Sequence, residues 1–495
     1  MMRAAGAPIT RTVLPFLLIL AIVVATRAPY LGDPAPGFDE QLYNLIGQQM
    51  LHGALPYVDL WDRKPIGLFL IFALSARLGD LTGLGVVMGY QVMAMLFTLG
   101  GAWLTFALAA REARLSAALI AGAAYPPLMG YLGSFAGQSE AFYVPLMLAM
   151  LTLVEAGRRK QLARDAVLPF GAAMLVGGLA LQIKYTVAPQ CAFLGLAAIW
   201  HLHSKGIVRP QLVGIALAFG LLGLLPTLLA AFAYAVAGHW DEFLFANFIS
   251  IFGRASPGHK FPIQLLPFFA ILAVPAMMGA AALAIERKRP SPTYLLRAGW
   301  AASCIAGLFM GSTIYAYYFA ALVPAALLMA IPVFGLLGPV AGAVLIAALL
   351  FAYNVPARIG FARADRAATG QLARMAAPHV DARHCLYVFD GPSALYRMTG
   401  GCLPSRFIYP DHLNNALEQH ALGIDTAREV RRILAREPGA IVTANRPVTV
   451  PNQHTTALVR QEIARNYLPL TSVAFAGRVL TLHIRKDGIP GNPKR

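Results

Sequence analysis

Apolar runs long enough to cross a bilayer recur between Thr12 and Asn354, and they dominate what this 495-residue chain can fold into. A crossing helix needs about 20 apolar residues, and in lipid every backbone polar group must be bonded internally. Spans are expected near 12–30, 83–109, 115–132, 139–156, 166–183, 186–203, 211–236, 263–285, 298–313, 317–335 and 337–354. That makes about eleven. Only 13% of the residues are charged and 58% are hydrophobic, whereas a soluble chain carries about a quarter charged residues. The expected fold class is a mainly α, polytopic membrane protein.

The formal net charge of +17 is read through its position. Basic clusters fall between apolar runs: Arg111 and Arg114; Arg158, Arg159, Lys160 and Arg164; Lys205 and Arg209; Arg287, Lys288, Arg289 and Arg297. This is the positive-inside pattern and not a nucleic-acid stripe. Residues 12–30 follow Arg3 and Arg11 and show no convincing small-residue cleavage site, so they read as a retained helix rather than a signal peptide. With Arg3 and Arg11 inside, all of those clusters fall inside too. Residues 31–82, 237–262 and everything after 355 then fall outside.

Within 31–82, the stretches 38–53 and 66–79 are too short to span comfortably. Leu42, Leu45, Ile46 and Met50 share a helical face. Both stretches read as amphipathic helices lying in the outer interface. After Asn354 the apolar runs shorten. CLYVFD (385–390), AIVTAN (440–445) and VLTLHIR (479–485) read as strands, and 426–438 and 455–467 as helices. The expected domains are 1–354, a transmembrane catalytic domain carrying the loop 31–82, and 355–495, a soluble C-terminal α/β domain. Cys191 and Cys304 lie in apolar spans and read as inert core residues. Cys385 and Cys402 lie in the C-terminal domain, where an oxidising compartment would allow a disulfide; spacing alone leaves the pairing open. There is no CxxC, HExxH or GxxxxGKS/T, so a zinc site, a redox pair and a P-loop have no support.

Scarce charge marks the candidate site. Asp39, Glu40, Asp59, Asp62, Arg63 and Lys64 all lie in the first loop, and charge at a membrane edge is a functional candidate by default. A lipid-phosphate-linked sugar would present its phosphate and sugar at this depth. Transfer needs a base for the acceptor's proton and cations for charge growing on the leaving phosphate. A phosphodiester leaves without protonation, so one carboxylate and one or two cations are sufficient.

The order of residues resembles a known family. FDEQLY at 38–43, with its acidic pair before Tyr43, and WDRKPIG at 61–67 are similar to the first external loop of the GT-C glycosyltransferases. The closer likeness is to the bacterial branch holding protein O-mannosyltransferases and the lipid A aminoarabinose transferase. The resemblance implies Asp39 as base, Glu40 as the second acid and Lys64 as the contact to the lipid-linked phosphate. It extends to Glu140 in GQSEAFYVPL, Lys184 in GLALQIKYTV and the tyrosines 315, 317 and 318. The family usually has KPP where Ile66 follows Pro65 here. Loop 237–262 should supply another cation, from Arg254 or Lys260.

Plainer readings stand beside these. Asp39 also reads as an N-cap bonding Leu42's amide, and Glu40 as a first-turn acid. Arg63, Lys64 and Lys184 read as snorkelling cations, Glu140 as a first-turn acid, and the tyrosines as an interfacial belt. The expectation is an inverting glycosyltransferase of a bacterial inner membrane, working on its periplasmic side. It would move a hexosyl or pentosyl unit from a polyprenyl-phosphate donor to an acceptor hydroxyl or amine on a glycan, lipid or protein. Asp39 and Glu40 are the catalytic candidates. Lys64, Arg63, Lys184 and Arg254 are candidates for the donor phosphate, with Tyr43, Glu140, Tyr315 and Tyr318 as further site residues. No cofactor beyond the lipid-linked donor is expected, a divalent metal is left open, and no nucleic-acid partner is expected. The competing reading is a polytopic transporter or lipid-linked sugar flippase, which should show repeated halves and mid-membrane ionisable residues. Sugar, acceptor and oligomeric state are not legible.

Overall fold

The computed structural model describes residues 8–255, 263–311 and 313–486, with side chains from residue 12 onward. Arg3, the Arg11 side chain and Lys260 therefore lie outside the described residues. The chain is a polytopic membrane protein. Among the described residues, seven helices are long and apolar enough to cross a membrane. Every one of the eleven expected spans is helical over most of its length. Leu115–Tyr131, Ala188–Ser204 and Pro292–Leu308 have 17 residues each. At 1.5 Å per residue that is about 25 Å, a little under the hydrocarbon thickness. The segment expected at 317–335 is broken into a 3-10 turn, Ala316–Leu322, and two short helices, Val323–Met329 and Ile331–Leu336. Pro324 and Pro332 each open one of those helices. Proline supplies no amide proton and is tolerated in a first turn, so the helix restarts at each.

The chain divides into two compact units. The first comprises Met1–Pro29, Gln91–Ala230 and Lys260–Pro356. It is a helical bundle whose outer faces show Leu196, Leu217, Val340 and Phe351, as lipid contact requires. Small residues bring its backbones together. At Gly279 a Cβ would come 2.1 Å from the Met329 carbonyl oxygen, so only glycine permits that approach. Arg297, expected among the inside-facing loop cations, is instead only 1% exposed. Its Nε donates to Glu155 at 2.9 Å and its Nη1 to Glu112 at 3.3 Å. Arg159 and Arg111 approach the same Glu155 carboxylate at 3.3 and 3.7 Å. A charge buried in a bundle needs such partners.

The second unit comprises Tyr30–Tyr90, Ala231–His259 and Ala357–Arg495. Its sheet holds β1 (Leu386–Val388), β2 (Ala440–Ala444), β3 (Tyr467–Phe475) and β4 (Arg478–Arg485), in the order β1-β2-β4-β3. β1 and β2 are parallel, and the other pairs are antiparallel. Helices Thr426–Leu434 and Gln453–Asn466 confirm the two expected there. β3 was not expected. Pro469 interrupts its pattern, and the register shifts between Pro469 and Thr471. Proline is accommodated because β3 is an edge strand. The β3–β4 hairpin closes through Ala476 and Gly477, both at positive φ, the geometry that suits a two-residue hairpin.

The core of this unit draws on distant segments. Tyr387, Phe389, Phe407, Leu413, Val430, Ile441 and Val459 cluster with Trp61, which is 2% exposed. The tryptophan comes from the 31–82 stretch. Its amide also donates to the Arg406 carbonyl at 3.0 Å. The expected helices in that stretch form as Asp39–Met50 and Ile66–Leu81 and pack on each other at Gly47, where a Cβ would come 2.7 Å from the Phe72 and Ala73 backbone. The open cysteine question is resolved: Cys385 and Cys402 form a disulfide, with Cα atoms 4.8 Å apart. It closes a loop with a sequence separation of 17, for which chain entropy predicts about 3 kcal/mol of stabilisation. Cys385→Ala/Cys402→Ala should therefore lower the thermal midpoint of the purified protein, and a reductant should lower the wild-type midpoint but not that of the double variant.

Candidate active site

Asp39 is the first residue of the helix Asp39–Met50, and the N-cap position belongs to Phe38. The N-cap reading of Asp39 therefore does not hold. Its carboxylate turns to a distant partner: Oδ1 accepts a hydrogen bond of 2.9 Å from the Tyr409 hydroxyl. Glu40 is 1% exposed and lies against Gly37, where a Cβ would come 2.6 Å from Oε2. The next residue ties the same turn to the β1 side of the unit, since the Gln41 Oε1 accepts from the Ala394 amide at 3.1 Å. Tyr43 is buried, with its ring edge-on to Phe69 and Phe72 at 6.2 and 5.6 Å. It packs the two helices of the loop together.

Trp61 carries Asp62, Arg63 and Lys64 with it. The Lys64 amide donates to Asp62 Oδ1 at 2.8 Å, and the Lys64 carbonyl accepts from the Tyr57 hydroxyl at 2.8 Å. The backbone at Lys64 is thus held from both sides, on a turn that proline then ends. Burial raises the Asp62 carboxyl above its usual range, against the pull of Lys64 and Arg63, and Asp39 adds to the rise. Arg63 makes a two-pronged contact with Glu418, and its guanidinium lies 5.4 Å from the Trp61 ring. Arg254 reaches the same carboxylate, Nε to Oε1, at 2.7 Å. Burial would raise the Glu418 carboxyl, but the bond and charge of Arg63 with the charge of Arg254 bring it below the usual range.

Residues near these were not legible in the sequence. Tyr409, Asp411, His412 and Glu418 belong to a stretch of short elements between β1 and β2, where no long periodicity draws attention. The scarcity of acids was the available signal, since the whole chain has 23. Asp411 sits on the helix Pro410–Asn414. Burial, with the charges of Asp39, Glu418 and Asp390, pushes its carboxyl up to about 7 against the pull of Arg254. Burial pushes the neighbouring His412 imidazole down to about 3, opposed by Glu418 and assisted by Arg63. The His412 ring stands edge-on to Trp61 at 4.9 Å. Arg478 donates to Asp390 at 2.8 Å and lies 5.6 Å from the Phe38 ring. The Asp390 carboxyl is raised by burial despite that bond.

The remaining sequence candidates lie in the first unit. Glu140 and Lys184 form a buried ion pair. Ser139 donates to Glu140 at 3.0 Å, and the Tyr143 hydroxyl lies 3.4 Å from it. The Lys184 ammonium is 3.9 Å from the Tyr318 ring centre and 5.3 Å from that of Tyr317, within cation–π range. Tyr315 stacks on Tyr317 with centroids 5.5 Å apart. Lys184 is 5% exposed, so the snorkelling reading does not describe it. Among the described residues, no three His, Cys, Asp or Glu side chains are placed to hold a metal ion.

No family model and no curated protein matches the chain. Solved structures do resemble it. ArnT from Cupriavidus metallidurans in the apo state superposes with a TM-score of 0.66 at 15% identity, covering 95% of this chain and 98% of that one. The same protein bound to undecaprenyl phosphate gives 0.64 at 14% identity, over 96% and 98%. The Archaeoglobus fulgidus oligosaccharyltransferase tethered with an acceptor peptide gives 0.51 at 10% identity, over 88% and 70%. At these identities the likeness is one of fold, and that fold is GT-C-like, as the first-loop residues led one to expect.

A carboxyl raised to about 7 binds its proton more tightly in the folded chain than in the unfolded one. Its neutral form is compatible with burial, so stability is lost as pH rises from the unfolded value through about 7. Asp411→Asn should remove this component. Thermal midpoints at pH 5 and pH 8 should differ less in Asp411→Asn than in wild type, with the variant gaining relative to wild type at pH 8.

Proposed function

We propose that this protein is an inverting glycosyltransferase that moves a sugar from a polyprenyl-phosphate donor to an acceptor hydroxyl or amine. The transfer takes place on the periplasmic side of a bacterial inner membrane, with residues 355–495 as a domain on that side. The observation that carries the reading is the grouping, in one compact unit, of Asp39 with Tyr409 and of Arg63 and Arg254 with Glu418, Lys64 following Arg63 on the first loop. The fold adds support, because ArnT of the same architecture is known with undecaprenyl phosphate bound.

Asp39 takes the proton from the acceptor as its oxygen or nitrogen attacks the anomeric carbon. The bond to the phosphate oxygen breaks, and the electron pair leaves with the phosphate. Lys64, Arg63 and Arg254 stabilise that charge. One displacement with one base inverts the anomeric centre. Glu40 holds the first turn against Gly37 and keeps the site acidic beside the base. In the first unit, Lys184 pairs with Glu140, and its ammonium lies against the rings of Tyr318 and Tyr317. Tyr43 acts through the packing of the loop helices.

The test is transfer of label from a panel of radiolabelled undecaprenyl-phosphate sugars by purified protein in nanodiscs. Asp39→Asn should lower turnover by about a hundredfold or more with donor binding retained, the range of a lost general base. Lys64→Ala should raise the donor KM. Wild-type turnover by Asp39→Asn would sink the mechanism.

A further inference from the structure

Two loops far apart in sequence each bring one guanidinium to Glu418. Arg63 stands two positions after the buried Trp61. Its Nη1 donates to Glu418 Oε1 at 3.0 Å and its Nη2 donates to Oε2. Arg254 comes from the 250–255 stretch and places its Nε 2.7 Å from the same Oε1. That stretch is itself fastened to residues 417–421. The Ala255 amide donates to the Leu417 carbonyl at 2.9 Å, and the Ser250 hydroxyl donates to the Ala421 carbonyl at 2.7 Å. At Gly253 a Cβ would come 2.5 Å from the His420 carbonyl oxygen, so the two backbones touch there. Glu418 is buried, and among the described residues the partners of its carboxylate are these two arginines.

We propose, resting on the transferase reading, that Glu418 is a positioning residue for the donor's phosphate. It holds the Arg63 and Arg254 guanidiniums together before the lipid-linked donor arrives, and so makes the C-terminal α/β part a component of the donor site. An arginine side chain has many rotamers, and fixing it during binding costs affinity. Here the fixing is done by folding, because a two-pronged carboxylate contact orients the planar fork. Two like charges on separate loops would otherwise turn away from each other. Glu418 takes two of the five N–H donors of Arg63, and among the described residues no other hydrogen-bond acceptor takes the rest. The fork therefore keeps donors for a phosphate oxygen while it is held. The backbone bonds of 250–255 to 417–421 fix the base of the Arg254 side chain, and Glu418 fixes its tip. Glu418 acts through the arginines and takes no proton in the transfer.

Binding of undecaprenyl phosphate to the purified chain tests this, read by native mass spectrometry across a titration. That lipid carries the phosphate without a sugar, so the donor need not be identified first. Glu418→Gln should raise the Kd about tenfold, the scale of long side chains ordered during binding instead of before it. Glu418→Asp, which keeps the charge on a shorter arm, should lie between the two. The effect should vanish where the arginines are absent. In Arg63→Ala/Arg254→Ala, adding Glu418→Gln should change the Kd by less than about twofold. A purely structural role would weaken binding equally in both backgrounds, and that result would overturn the proposal. Tighter binding by Glu418→Gln would overturn it too, because Glu418 would then be competing with the phosphate. Should Glu418→Gln not fold, Gly253→Ala decides. Its new methyl group moves the Arg254 backbone off His420 with the carboxylate intact, so the Kd should again rise, and a value within about twofold of wild type would reject the proposal. Wild-type binding with no change in Glu418→Gln would reject the proposal alone. No binding of undecaprenyl phosphate by wild type would reject the transferase reading and this proposal with it.

Discussion

The burial of Trp61 is the constraint on which the site depends. An indole buries about 150–250 Å², and at about 25 cal/mol per Å² that is worth roughly 4–6 kcal/mol. The interaction fixes one point of a loop whose next three residues are all charged. The Trp61 amide bond to Arg406 sets its direction, and the Tyr57 bond to the Lys64 carbonyl sets the other end. Asp62, Arg63 and Lys64 are thereby held on a short, doubly anchored strap. A loop anchored only by its ends would spread the same charges over a wide volume.

Within this frame the charges are balanced at short range. Glu418 receives two guanidiniums, and Asp390 receives one. Such pairs are costly to bury and costly to break, which makes the site rigid and keeps its acids in different states. Asp411 is driven toward neutrality near pH 7 while Glu418 is held ionised. Two carboxyls seven positions apart in sequence are set apart by neighbours that sequence distance does not reveal. The membrane unit solves the same problem separately, with Glu140 on Lys184 and Glu155 on Arg297.

Much of the architecture was legible because it follows from solvent. A run of 20 apolar residues has few other fates, so the long apolar helices could be read from composition alone. The break at Pro324 and Pro332 follows from the chemistry of proline, although the run containing them reads as a single span. The β3 strand was missed for a related reason. Pro469 argues against a central strand, and only the pairing with β4 shows that it lies at an edge.

The first loop declared itself through charge. Asp39, Arg63 and Lys64 stand out where Asp, Glu, Lys and Arg are scarce, and their order carried the likeness to the GT-C glycosyltransferases. The sequence by itself therefore determined the membrane class and the helical loop segments, and it singled out the candidates for taking a proton or meeting a phosphate. It did not determine their partners. Tyr409 lies 370 positions from Asp39 and Glu418 lies 355 from Arg63, and no local pattern links them. Whether Asp39 caps its helix or points elsewhere, and whether Lys184 reaches the membrane surface or lies under tyrosines, depended on which neighbours folding brought within about 3–4 Å. Hydrogen bonds and ion pairs act only at that range, so the tertiary structure decided them.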